Sequence, residues 1–163
     1  HPVTEMVYDF DIVKEQLRIA SGMELSVDQE DIKITGHSIE VRVNSENPAM
    51  EFMPSSGVAH YVHGPSGFNV RFDSYLYSGC KVSPYYDSML GKIIVKGKDR
   101  KEAISIMKSA IKEATIKGIN SNLDYQYAIL CTDEFVGGDY DTGFIENNQD
   151  EIMSKIKYIY KRE

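Results

Sequence analysis

The sequence contains no tryptophan and only two cysteines, Cys80 and Cys131, which lie far apart in a chain of 163 residues. Neither cysteine belongs to a Cys-x-x-Cys pair, the spacing typical of structural zinc sites and redox motifs. A small secreted domain that depends on disulfides carries several cysteines at close spacing. The cysteine content therefore supports neither a disulfide framework nor a cysteine-based zinc site.

Long apolar runs are also missing. No segment approaches the about twenty apolar residues that a membrane-spanning helix requires, and no charged-then-apolar leader of the secretory type is present. Basic residues are outnumbered, 18 against 25 acidic ones, which gives a net charge of −7. Without a cluster of Lys and Arg, nucleic-acid binding is disfavoured. We therefore expect a soluble, cytoplasmic protein with no membrane and no nucleic-acid partner.

The composition fits one globular unit. With 42% hydrophobic and 26% charged residues, the chain can bury a real core. It has no internal repeat, low-complexity tract or interior linker. Strand-like patterns dominate its first part and helical patterns follow, which predicts an α+β fold with a mainly antiparallel sheet and packed helices.

The clearest strand pattern lies at residues 38–44. Because side chains alternate along a strand, one row is apolar and the other polar. The inward row is predicted to be His37, Ile39, Val41 and Val43, and the outward row Ser38, Glu40, Arg42 and Asn44. His37 is interpreted as a hydrogen-bonded core histidine. The polar row suits either an ordinary solvated sheet face or a binding surface, and the pattern alone leaves both open.

One helix is predicted near the N-terminus. It begins at Asp9, ends at Gly22, and packs through an apolar face that recurs every three or four residues: Phe10, Val13, Leu17 and Ala20. Residues 4–6 are expected to form a short strand or turn. The capping-box spacing at residues 26–29 suggests a single helical turn, and residues 32–34 a further strand.

Strands are also predicted at residues 58–62, 70–77 and 89–95. Asp99 and Glu102 have capping-box spacing and precede an apolar helical stripe, composed of Ala103, Ile104, Met107, Ala110, Ile111 and Ala114. Shorter helices are predicted at residues 122–130 and 132–136. Acidic and basic residues alternate around Ile152, Ile156 and Ile159, so residues 148–163 are predicted to form a surface helix.

Two features that could suggest a ligand site have a structural explanation. His60 and His63 are three residues apart on a predicted strand, so their side chains point to opposite faces and do not suit a shared metal ion. The segment GPSG at residues 64–67 lacks the glycine spacing of nucleotide-binding loops and predicts a turn. No metal site is predicted.

Four stretches in the same order along the chain carry a resemblance to a known family: HPVTEM (1–6), ITGHSIEVRVNSENP (34–48), GPSGFNVR (64–71) and PYYDSMLGK (84–92). Together they resemble the biotin carboxylases, the ATP-dependent components of acetyl-CoA carboxylase and its relatives. Similarity is nearly continuous from His1 to about Glu146. The resemblance implies the C-terminal domain of such an enzyme, with residues 1–147 as the domain and 148–163 as its surface helix. The chain starts at His1 inside a family motif, so we expect a piece of a longer protein that lacks its upstream ATP-grasp part.

The resemblance implies a reaction for the complete enzyme. Biotin carboxylases join ATP and bicarbonate into carboxyphosphate and then transfer the carboxyl group to a ureido nitrogen of biotin. The arginine of the family's Glu-x-Arg-x-Asn motif, which matches Arg42, is assigned to the ureido oxygen, where negative charge develops. A guanidinium suits this role because it stays charged at any working pH. From their spacing, Glu40 and Asn44 are predicted to orient the guanidinium.

Other matched positions have implied structural roles. Phe68 and Arg71 match residues of the family's homodimer interface, although a packed ring and a solvated arginine would also fit the sequence. Asp87 lies in a motif that relatives place near the core beneath the active site, and we interpret it as structural. Ser66 and Asn69 stand where relatives usually have glycine. Asparagine tolerates positive φ best among the other residues, so the turn is expected to survive.

The implied cofactors are biotin on a carrier protein, together with ATP and Mg or Mn in the complete enzyme. None is expected to bind this chain alone, which is predicted to be inactive. The implied partners are the biotin carboxyl carrier protein, a carboxyltransferase component and a second copy of the enzyme. The residues of the four motifs favour acetyl-CoA carboxylase, and hence fatty acid synthesis. The alternatives are the equivalent domain of a pyruvate or propionyl-CoA carboxylase and a non-catalytic module for dimerisation or carrier docking.

Overall fold

The computed structural model describes residues 1–160 and the side-chain surroundings of residues 1–157. Its helices are α1 (Pro2–Tyr8), α2 (Ile12–Ala20), α3 (Arg100–Glu113), α4 (Leu123–Ile129), α5 (Asp133–Gly137) and α6 (Phe144–Tyr160). Its strands are β1 (His37–Asn44), β2 (Glu46–Asn47), β3 (Met53–Pro54), β4 (Gly57–Ala59), β5 (Tyr61–His63), β6 (Val70–Ser74), β7 (Cys80–Val82), β8 (Met89–Gly97) and β9 (Thr115–Lys117). No helix within residues 1–160 is both long enough and apolar enough to cross a bilayer.

The central sheet has the order β1-β8-β6, and both pairings are antiparallel. Three two-stranded sheets, β2-β3, β4-β7 and β5-β9, are antiparallel as well. The predicted α+β fold with a mainly antiparallel sheet is therefore confirmed. In the central register Lys92 of β8 lies opposite Arg42 on one side and opposite Asp73 on the other.

Helix α3 covers the apolar face of this sheet. The alternation predicted for β1 is confirmed, because Ile39, Val41 and Val43 are buried in one cluster with residues of β8 and α3. The α3 stripe contributes five fully or nearly fully buried side chains to the core: Ala103, Ile104, Met107, Ala110 and Ile111. Burying each large aliphatic side chain contributes about 1.5–3 kcal/mol, so this contact is a major source of stability.

The start of α3 follows its sequence signal. The Asp99 side chain accepts a hydrogen bond from the Glu102 amide at 2.9 Å. The Glu102 carboxylate in turn accepts from the Lys98 amide. An amide that the first helical turn leaves without a partner is thereby satisfied, and so is the Lys98 amide just before the helix.

Helix α1 lies against the opposite, polar face of the central sheet, where it contacts both β1 and β8. Ile94 points to this face and is fully buried. The prediction of a strand or turn at residues 4–6 was wrong, because these residues form the middle of α1. Pro2 fits the first helical turn, where its missing N–H costs nothing.

The first predicted helix is thus two helices. Asp9 adopts φ 53° and ends α1, while Asp11 begins α2 by accepting from the Lys14 amide at 2.8 Å. The predicted packing of the apolar face of α2 was wrong for this chain, since Leu17 is 69% exposed. Its one buried residue is Glu15, which accepts from the Ser26 amide at 3.0 Å.

Several other boundaries differ from prediction. Residues 32–34 do not form a strand, and the strand predicted at 58–62 divides into β4 and β5 at His60. The turn expected at residues 26–29 lies at Gln29–Asp31, and β6 ends at Ser74. Helix α6 starts at Phe144 and buries Ile152 against α4. The prediction for residues 161–163 and for the Ile159 side chain lies outside the described residues.

Candidate functional site

Arg42 projects from β1, which is an edge strand of the central sheet. Its neighbours Val41 and Val43 are buried on the α3 side, so alternation directs Arg42 to the polar face. The Arg42 side chain is exposed, and its guanidinium forms no salt bridge or hydrogen bond among the side chains described for residues 1–157. A guanidinium in this state can donate to an incoming anionic oxygen.

The backbone at Arg42 is held by Asn122, the residue before α4. The Asn122 side-chain amide donates to the Arg42 carbonyl at 3.1 Å, and its carbonyl oxygen accepts from the Asn44 amide at 2.9 Å. Asn122 is only 5% exposed and forms no cap for its own helix. Its side chain therefore binds the free edge of β1 much as a neighbouring strand would.

The predicted contacts of Glu40 and Asn44 with the guanidinium are not formed in this structure. Glu40 instead binds the Lys92 ammonium at 3.0 Å. The Asn44 side-chain amide donates to Glu46 at 3.2 Å. The cause is the register, which brings the Lys92 side chain between β1 and β6 and within reach of Glu40.

Arg71 belongs to a network within the chain. Its guanidinium lies 2.8 Å from Glu5 of α1 and 2.6 Å from Asp73 of β6. The hydrogen bonds that it donates to Asp73, and then to Glu5, raise the pKa of Arg71 above its ordinary value. Arg71 therefore joins α1 to the sheet.

Phe68, in contrast, is 92% exposed at the end of the GPSG turn. Asn69 adopts φ 62°, as its tolerance of positive φ predicted. The turn is fixed by Glu113 at the end of α3, which accepts from the Ser66 amide at 3.2 Å and from its hydroxyl at 3.1 Å. A rigid turn therefore presents an unpacked ring to its surroundings.

The motif around Asp87 is at the surface of this chain. Asp87 is exposed and accepts a local hydrogen bond from the Met89 amide at 2.8 Å. Tyr85 and Tyr86 are 88% and 85% exposed. The local bond fixes the backbone at the start of β8. The placement of this motif near the core of the complete enzyme stays a prediction.

The histidines are distributed over separate environments. His37 is half-buried at the start of β1, with Nε2 3.3 Å from an Arg100 nitrogen. Burial, and then the Arg100 charge, lower the pKa of His37 from its ordinary value. His63 lies 3.4 Å from Glu113. Within the described residues, no three His, Cys, Asp or Glu side chains cluster in a way that could hold a metal ion.

Sequence reasoning missed Lys92, Asn122 and Glu5, which set the surroundings of Arg42 and Arg71. Their positions depend on strand register and on contacts between residues up to 80 positions apart. The signal that the sequence offers is Lys92, which interrupts the apolar run at residues 89–95.

The fold agrees with the comparisons to known proteins. Residues 40–147 match the model of the biotin carboxylase C-terminal domain, and the chain therefore belongs to that family. It is 48% identical over 146 residues to biotin carboxylase 1 of Bacillus subtilis. The match covers 90% of this chain and 32% of that protein. It is 41% identical over 163 residues to a pyruvate carboxylase subunit of Methanothermobacter thermautotrophicus, covering 100% of this chain and 33% of that one.

A solved structure of the same architecture is the biotin carboxylase domain dimer of Hydrogenobacter thermophilus 2-oxoglutarate carboxylase, in complex with MgADP, ADP and bicarbonate. The TM-score is 0.90 at 37% identity, and the match covers 93% of this chain and 34% of that one. The chain thus spans about a third of the length of the relatives that it matches.

Proposed function

We propose that this chain provides the biotin-facing arginine of an ATP-dependent biotin carboxylase. The observation that carries the proposal is the exposed Arg42 guanidinium, which has no carboxylate partner among residues 1–157 although acidic side chains lie on the same sheet face. The domain would comprise residues 1–147 together with residues 148–163, of which 148–160 continue helix α6 from its start at Phe144.

The chemistry of Arg42 fits a ureido oxygen. Biotin, when bound, supplies a ureido nitrogen that accepts the carboxyl group from a bicarbonate-derived donor, while negative charge develops on the ureido oxygen. A guanidinium held by a strand can donate hydrogen bonds to this oxygen and remains charged throughout. A fixed donor aimed at a developing oxyanion contributes roughly 10²- to 10³-fold in rate. The Asn122 contacts keep the strand in place while Arg42 acts.

The nucleotide and its Mg or Mn ion would be held by the rest of the complete carboxylase. This part of the proposal is supported by the length comparison, since the relatives are about three times longer than the chain. It is also supported by the MgADP and bicarbonate bound to the Hydrogenobacter protein. We therefore expect the 163-residue chain alone to give no ATP-dependent carboxylation of free biotin.

The decisive experiment changes Arg42→Ala in the complete carboxylase. We expect turnover with free biotin to fall roughly 10²-fold or more, because the oxyanion donor is lost, while ATP affinity changes less than about threefold. Lys81→Ala, which removes an exposed cation from β7, is the matched control and should keep turnover near that of the unchanged enzyme. An equal loss of turnover and ATP affinity on Arg42→Ala would refute the role.

For the final acceptor we propose acetyl-CoA, with the biotin carboxyl carrier protein and a carboxyltransferase component as partners. The somewhat higher identity to the Bacillus biotin carboxylase than to the Methanothermobacter pyruvate carboxylase protein supports this choice. The test combines the complete enzyme with carrier and transferase components of either type and follows label from bicarbonate. Malonyl-CoA formation supports the proposal, and transfer to pyruvate alone contradicts it.

A second function, a dimerisation module without catalysis, is favoured by one observation, the 92% exposure of Phe68. The dimer of the Hydrogenobacter protein makes a homodimer a natural partner for this surface. The Arg42→Ala enzyme distinguishes the two proposed functions. Full turnover with an intact dimer would favour the module over the catalytic role.

A further inference from the structure

Charged side chains of both signs lie together on the sheet face that α1 covers. The cations are Arg42 of β1, Lys92 of β8 and Arg71 of β6, and the carboxylates are Glu40 of β1, Asp73 of β6 and Glu5 of α1. Opposite charges attract each other strongly when they are close together and partly buried. The pairing among these six side chains therefore decides which charged side chain is left without a partner. The ion pairs extend across the sheet from β6 through β8 to β1.

The first step lies at β6. Arg71 binds both Asp73 and Glu5, with nitrogen to oxygen distances of 2.6 and 2.8 Å. Asp73 also accepts from the Arg71 Nε at 2.9 Å through each of its oxygens. Both carboxylates at this end of the face are therefore bound to one guanidinium.

The second step lies at β8. Lys92 is directly opposite Asp73 in the register, yet its ammonium binds Glu40 on the other neighbouring strand at 3.0 Å. Since Arg71 already holds Asp73, Glu40 is the carboxylate left for Lys92. The pair is largely shielded from water, with side chains 18% and 16% exposed, so solvent screens it less than an exposed pair.

The third step concerns Arg42. Glu40 lies two residues before Arg42 on the same strand face, which makes its carboxylate the nearest acidic neighbour of the guanidinium in sequence. Lys92 and Arg42 are directly opposite, an arrangement of like charges that is unfavourable by itself. The Lys92 ammonium offsets this repulsion by binding Glu40.

We propose that Lys92 is a positioning residue that withholds Glu40 from Arg42 and so keeps the guanidinium open to an anionic oxygen. This inference rests on the proposed function of Arg42. Without the Lys92 ammonium, the Glu40 side chain turns toward Arg42 and occupies the donors that the oxyanion needs. Lys92 acts through Glu40 and does not touch the reacting atoms.

The kinetic test compares variants of the complete carboxylase. Lys92→Met should lower the turnover number roughly two- to fivefold, the range that one competing ion pair at an exposed arginine supports, with little change in the KM for ATP. Adding Glu40→Gln to Lys92→Met should restore at least half of the lost turnover, because the competing carboxylate is gone. Lys92→Arg, which keeps the cation, should retain turnover. An uncorrected loss in the double variant, or a loss in Lys92→Arg as large as in Lys92→Met, would overturn the inference.

A second readout does not depend on turnover. In the ¹⁵N-labelled 163-residue chain, the Arg42 Nε–H signal, assigned by its loss in Arg42→Ala, reports hydrogen exchange with water. Exchange should slow at least twofold in Lys92→Met and return to the original rate when Glu40→Gln is added. Unchanged exchange in Lys92→Met would overturn the inference. Circular dichroism melting of each variant shows which ones fold, and if Lys92→Met does not, the double variant and Lys92→Arg carry the test.

The two proposals fail in different ways. If Arg42→Ala keeps full turnover, the proposed function fails, and slowed exchange in Lys92→Met would still show that Lys92 controls Glu40. If Arg42→Ala is inactive while Lys92→Met changes neither turnover nor exchange, the function of Arg42 stands and the role of Lys92 is overturned.

Discussion

The Asn122 side chain binds the backbone on both sides of Val43, directly after Arg42, donating to the Arg42 carbonyl at 3.1 Å and accepting from the Asn44 amide at 2.9 Å. β1 is an edge strand, so these backbone groups would otherwise lack a ladder partner. The exposed Arg42 side chain therefore extends from a segment of backbone that Asn122 holds in place.

This contact predicts a measurable effect on stability. Asn122→Ala should lower the free energy of unfolding by about 1–3 kcal/mol, because partly buried backbone groups lose a hydrogen-bond partner. Urea unfolding followed by circular dichroism measures the change. Asn120→Ala is the matched control, since Asn120 is exposed and its side chain lies 3.4 Å from Ser55, and it should change stability by less than about 0.5 kcal/mol. Equal effects of the two substitutions would contradict the role of Asn122.

The link between Arg71 and Glu5 predicts a stability effect that depends on salt. Arg71→Met leaves the Glu5 carboxylate, which is 10% exposed, without its cation, and should lower the free energy of unfolding by about 1–2 kcal/mol. The difference from the unchanged chain should shrink at high ionic strength, because salt screens the partly exposed guanidinium. Lys155→Met removes the Glu151 pair on the surface of α6 and should cost under about 0.5 kcal/mol. A loss for Arg71→Met no larger than this control would show that the link does not stabilise α1.

His37 predicts part of the pH dependence of stability. Burial and the Arg100 charge lower the pKa of His37 in the folded chain, so the unfolded chain takes up its proton at higher pH. The free energy of unfolding should therefore fall as the pH drops below about 6.5, the ordinary value for histidine. His37→Gln removes this contribution, and its stability should decline less between about pH 7 and about pH 5. Parallel declines in the two proteins would contradict the prediction.

The exposed Phe68 ring leads to a prediction about the strength of the dimer. If its ring enters the interface between two copies of the complete carboxylase, Phe68→Ala should raise the dimer dissociation constant at least about tenfold. Phe68→Tyr keeps the ring and should leave the dimer close to its original strength. Sedimentation equilibrium measures both constants. A dimer that is unaffected by Phe68→Ala would place the interface elsewhere.

Local patterns predicted the elements that are held by local forces. The alternation of Ile39, Val41 and Val43, the Asp99 cap of α3 and the positive φ of Asn69 all follow from short-range rules. The helix at residues 4–6 could not be predicted from its own pattern, because three residues give no helical period and the only local signal is Pro2 in the first turn.

The apolar face predicted for α2 stayed exposed for a different reason. An amphipathic pattern shows that a face is suited to burial but not what covers it, and Leu17 has no apolar cover within the described part of the chain. The pairing of charges around Arg42 could not be predicted from the sequence either. Glu40 binds Lys92 and not Arg42. This pairing depends on the strand register and on the contact between Arg71 and Asp73.

The most direct test of the account is a structure of the complete carboxylase with biotin bound. The proposed role predicts that a guanidinium nitrogen of Arg42 lies about 3 Å from the biotin ureido oxygen, with Glu40 still bound to Lys92. A structure in which Arg42 instead pairs with a carboxylate of its own chain, and the ureido oxygen is bound by another donor, would contradict the central claim.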